Sequence, residues 1–120
     1  MPQEFTSVEI LDKLVSFNTV SSESNLDMIM FIKDYLSSFG IESNLVFNDL
    51  KTKANLFAQI GPNLEGGLLL SGHTDVVPTI GQSWLTNPFK VVEKNNRFYG
   101  RGTCDMKGFN ALILAAVPNL

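Results

Sequence analysis

Gly66-Gly67-Leu68-Leu69-Leu70-Ser71-Gly72-His73-Thr74-Asp75-Val76-Val77-Pro78 is the stretch on which the fold turns. A short apolar run bounded by glycine suits a buried central strand, because a strand covered on both faces needs no polar alternation. If that strand runs on to His73, side chains two apart share a side, and His73 and Asp75 point together. The carboxyl end of a strand is where open α/β sheets hold their ligands. Pro78 stiffens the exit by fixing its own backbone torsion.

A second segment, Gly100-Arg101-Gly102-Thr103-Cys104-Asp105-Met106-Lys107-Gly108, follows a hairpin signal. Phe89 to Glu93 and Arg97 to Tyr99 read as strands around a Lys94-Asn95-Asn96 turn. Gly100 and Gly102 imply a tightly turned backbone. Phe109, Leu112, Ile113 and Ala116 then form a helical apolar stripe that Pro118 interrupts. Two readings of Asp105 stand side by side. An aspartate ahead of a helical stripe serves as an N-cap, and a carboxylate at such a turn can also bridge two cations. His73 has the same two faces: a polar residue at a strand end, or a metal ligand whose second ring nitrogen Asp75 would hold. Cys104 has no second histidine to activate it and reads as a small buried side chain. Lys107 reads as a solvated charge. Trp84, Phe89, Phe98 and Tyr99 read as packing under the hairpin.

Towards the amino terminus, Phe5-Thr6-Ser7-Val8-Glu9-Ile10 predicts a helix start. Thr6 caps, Glu9 closes a capping box and Phe5 packs on Ile10 as a staple. Ile10, Leu11, Leu14 and Val15 carry the stripe, and Asn18 stops it. A second helix begins near Ser24 and runs through Leu26, Ile29, Ile32, Leu36 and Phe39 to Gly40. Ile41 to Phe47 and Asn55 to Ile60 read as strands. The order predicts an α/β domain with helices packed on a mixed β-sheet.

Composition narrows the classes. The 120 residues fit one domain at most, and 44% hydrophobic residues suffice for a core. Nine basic and twelve acidic side chains leave a net charge of −3, with no basic run for nucleic acid. No window is apolar enough to span a membrane. The first residues lack a secretory pattern, and one cysteine makes no internal disulfide, which suits a reducing cytoplasm.

In this order, with Trp84-Leu85-Thr86-Asn87-Pro88-Phe89 and Arg97-Phe98-Tyr99-Gly100 between them, the two segments resemble the aminoacylase and carboxypeptidase-like family of co-catalytic zinc peptidases. The similarity runs from about Val8 to the end. It implies that His73 binds one zinc, that Asp105 bridges both, and that Asp75 is the catalytic residue that orients His73. It implies a cis peptide at Asp105-Met106, two Zn2+ per complete site with Co2+ as a substitute, and a small N-acyl amino acid as substrate. Thr103-Cys104 ahead of Asp105 favours a deacetylase branch over the desuccinylases, which share Asp105-Met106-Lys107-Gly108. The family pattern also includes a Glu-Glu pair, a further acidic ligand, a second histidine and a lid domain through which complete relatives form homodimers. None of these is found in this sequence, which has one histidine in total. Residues 1–120 therefore read as the N-terminal portion of an incomplete di-zinc exopeptidase-like catalytic domain, with the general base elsewhere. A non-catalytic binding domain that kept the fold is the reading from another class.

Overall fold

A computed structural model describes residues 2–120. Helix α1 (Ser7–Ser16) starts on the expected capping box: the Thr6 hydroxyl accepts from the Glu9 amide at 3.2 Å, and the Glu9 carboxylate accepts from the Thr6 amide at 2.7 Å. Its stripe of Ile10, Leu11, Leu14 and Val15 is buried. Helix α2 (Leu26–Ser38) begins where the Ser24 hydroxyl accepts from the Leu26 amide, and ends at Gly40, whose φ of 75° closes the last turn. Helix α3 (Lys107–Ala116) is followed by a 3-10 turn, Val117–Asn119, which contains Pro118.

The α/β class stands, and its sheet takes the form of two antiparallel pairs where one mixed sheet was expected. Strands β1 (Ser43–Phe47) and β2 (Ala54–Ala58) pair in the register Ser43 to Ala58 through Phe47 to Ala54. Asn48 shapes their turn by accepting from the Thr52 and Lys53 amides. Strands β3 (Val92–Lys94) and β4 (Arg97–Tyr99) close on Asn95 and Asn96, both at φ near 55°. Asparagine accepts that left-handed backbone better than other side chains, as a two-residue hairpin requires.

The core lies between α1, α2 and α3, where Leu14, Met28, Tyr35, Leu36, Ala111 and Leu114 meet. The Tyr35 hydroxyl satisfies itself by donating to the Leu114 carbonyl at 3.1 Å. Here three sequence expectations are corrected. Gly66 to Gly72 is not a buried strand: it joins no ladder among the described residues, and Leu68 and Leu69 are about four-fifths exposed. A strand needs a neighbour to pair with, and none flanks this run. The only bridge nearby among the described residues is a parallel one from Val20 to Val76. Second, α3 buries Lys107, Ala111 and Leu114, leaving Phe109 and Leu112 outside. Third, Phe98 and Tyr99 lie at the surface of the hairpin.

Candidate metal centre

Two contacts draw the distant segments together. Val76, buried behind His73 and Asp75, packs on the backbone of Gly102, where a Cβ would fall 2.7 Å from the Val76 methyl Cγ1. Gly102 also sits at φ 89°, so both its conformation and its close neighbour demand glycine. On the other side, the Thr19 carbonyl accepts from the Val76 amide at 3.0 Å, and the Thr19 hydroxyl donates to the Thr74 carbonyl at 2.5 Å. The His73 segment is thereby held between the end of α1 and the turn before α3.

Asp105 leads into α3 without capping it. The N-cap position belongs to Met106, and no side chain caps there. The Asp105–Met106 peptide is cis, as the family resemblance implies. The Asp105 carboxylate is freed for another partner, and that partner is His73: Nε2 lies 2.8 Å from Oδ1. The other ring nitrogen, Nδ1, faces only acceptors, the Asp75 carbonyl at 3.0 Å and the Asp75 carboxylate at 3.2 Å. Both ring nitrogens thus face acceptors, so the doubly protonated ring satisfies both contacts and the neutral ring only one of them. Ser21 donates to the far oxygen of Asp75 across a long 3.4 Å.

Partial burial opposes charging of His73. The hydrogen bonds to Asp105 and to the Asp75 carbonyl, with both carboxylate charges, outweigh it and raise the pKa above the ordinary 6.5. In neutral His73 one ring nitrogen would present a bare lone pair to an acceptor. The charged form of the imidazole is therefore favoured here.

The donor set fits a zinc-like ion in kind: one imidazole nitrogen and one carboxylate. It is short in number, since catalytic zinc sites take three protein ligands. Among the described residues no cluster of three or more His, Cys, Asp or Glu side chains exists. Cys104, expected inside, is exposed on the turn beside Asp105. Lys107, expected in solvent, is fully buried, and its ammonium donates to the Phe17 carbonyl at 2.8 Å. Sequence reasoning passed over Asn110, whose amide donates to the His73 carbonyl at 2.8 Å. Its one signal was its place, one turn past Met106 on the helix that Asp105 introduces.

Comparison with known proteins finds relatives of the sequence. Residues 69–120, which include His73, Asp75 and Asp105, match the model of peptidase family M20/M25/M40. The chain is 40% identical to an acetylornithine deacetylase of Pasteurella multocida and 42% identical to that of Vibrio cholerae, each over 94% of its length. A Buchnera aphidicola acetylornithine deacetylase is 39% identical over the same share. The chain spans 31% of the length of these curated relatives.

Proposed function

We propose that this chain belongs to peptidase family M20/M25/M40, as the match of residues 69–120 supports, and that the His73–Asp105 pair is part of the metal centre of an amidohydrolase acting on small N-acyl amino acids. The reaction we assign is cleavage of N-acetylornithine to ornithine and acetate, a step of arginine biosynthesis in the cytoplasm. In this reading His73 is a ligand of one divalent ion and Asp105 a bridging ligand of two, zinc by preference and cobalt as a substitute. When bound, the metal would supply Lewis acidity to water and to the amide carbonyl. The work of this chain's own residues is positional. The Nδ1–H bond to Asp75 keeps Nε2 as the donor nitrogen, and the nearby Asp75 carboxylate raises the basicity of the ring. Asp105 offers two oxygens from a turn that leaves them free. A second histidine ligand is not in this sequence, whose single histidine is His73. The 120 residues by themselves are therefore expected to bind zinc weakly and to turn over no acetylornithine.

One observation carries the reading: the approach of His73 Nε2 to Asp105 Oδ1 at 2.8 Å, with Nδ1 already committed to Asp75. The single histidine makes the test clean. Carbethoxylation of imidazole reports on His73 alone, and zinc bound there protects it. Asp105→Ala is expected to raise the half-protecting zinc concentration by roughly tenfold or more, the scale on which losing a partner of the metal site is felt. No protection by zinc, or equal protection with and without Asp105, overturns the shared site. Turnover of acetylornithine by the 120-residue chain would contradict the incomplete donor set.

A further inference from the structure

The separation of His73 from Asp105 has a second determinant, on α3. Asp105 enters this helix, so its position moves with the helix. The His73 segment has no ladder bond on its Leu70 side, and Leu68 to Leu70 are exposed. One α3 side chain spans the gap: Asn110 Nδ2 donates to the His73 carbonyl at 2.8 Å. Its other amide atom, Oδ1, lies where a Cβ on Gly72 would be, 2.1 Å from that position. The Asn110 amide therefore rests against the backbone of Gly72 and bonds that of His73. It is half-buried, and its own backbone amide is held by the Met106 carbonyl at 3.2 Å, in the first turn after the cis peptide.

We infer that Asn110 is a positioning residue for His73, fixing the imidazole-bearing backbone to the same helix that carries Asp105. The inference deepens the metal-site reading above and rests on it for its consequence. Gly72 is the complementary half of the device: only a residue without Cβ lets the amide close on the chain.

The test compares native chain, Asn110→Leu, Asn110→Ala, Gly72→Ala and the pair Gly72→Ala/Asn110→Ala, at concentrations below the onset of self-association. Leucine keeps the branched shape and suits a helix but removes the donor. Alanine at Gly72 leaves Asn110 in place and forces its amide away. Two readouts are taken: the metal-free carbethoxylation rate of His73, and the zinc concentration that half-protects it. Asn110→Leu is expected to speed carbethoxylation several-fold and to raise the half-protecting zinc by about tenfold, with its thermal midpoint unchanged. Gly72→Ala is expected to do the same, and to add little once Asn110 is alanine. A native carbethoxylation rate in Asn110→Leu, or strictly additive effects of Gly72→Ala and Asn110→Ala, overturns the assignment. If zinc fails to protect His73 in the native chain, the metal reading falls, and the metal-free rates alone decide the role of Asn110.

Discussion

Lys107 is a fully buried ammonium whose one partner is the Phe17 carbonyl, at the carboxyl end of α1. A cation there meets the negative end of the helix dipole, which is why the site accepts it. Burial nevertheless depresses its pKa from 10.5 to about 8. The sign of the consequence follows from proton counting. Between about 8 and 10.5 the unfolded chain holds a proton that the folded chain has released, so stability rises with pH across that window and is lowest below it. Lys107→Met removes this contribution. Urea midpoints of the two proteins, compared point by point, should differ by an amount that changes only within that window. Parallel curves would place the titration elsewhere. At this scale the site is a set of backbone anchors: Lys107 on Phe17, Thr19 on Thr74, and a carboxylate left free by a helix that needs no cap from it.

Among the elements, α1 shows how far local rules reach. Its amino terminus satisfies two orphan amides reciprocally, and Thr6→Ala removes the hydroxyl that accepts from the Glu9 amide while leaving the Thr6 amide to donate to Glu9. The expected cost is about 1 kcal/mol of stability, read as a shift in the denaturation midpoint with unchanged slope. A loss below a few tenths of that would mean that packing of α1 on α3 alone holds the helix. The hairpin β3–β4 is equally local, set by two asparagines at positive φ. Helix α3 is not. It is apolar on more than one side, and such a helix belongs in a layer covered on both faces. Its sequence periodicity accommodates the face with Phe109 and Leu112 as readily as the face with Ala111 and Leu114. Contact with α1 chose the latter.

For the molecule as a whole, part of the exposed apolar surface gathers at one groove. Leu68, Leu69 and Leu70 lie beside a groove of about 780 Å³ that Val46, Phe57 and Ile113 also line, with His73 at its rim. Contiguous apolar surface and unpaired extended backbone are what edge-to-edge association uses. The 120-residue chain is therefore expected to self-associate in a concentration-dependent way and to bind a hydrophobic dye. Leu68→Lys with Leu69→Lys should reduce both, as seen by light scattering after size exclusion. A monodisperse monomer that melts sharply and binds no dye would count against this.

The sequence by itself determined what short-range chemistry decides: where α1 begins and α2 ends, the two-asparagine turn, and the two segments that bear His73, Asp75 and Asp105. Each depends on neighbours within a few positions, or on residue types that few other patterns supply. Their convergence was an expectation of the family resemblance, and the contact of Val76 on Gly102 that brings them together is tertiary. Only the tertiary structure decided which face of α3 is buried, that Lys107 lies inside and Cys104 outside, and that Asn110 grips the His73 backbone. It also decided that Gly66 to Gly72 stays unpaired. The physical reason is common to all of these: burial and strand pairing belong to the surface that an element meets, and an apolar run states only that it will take a partner, not which one or on which side.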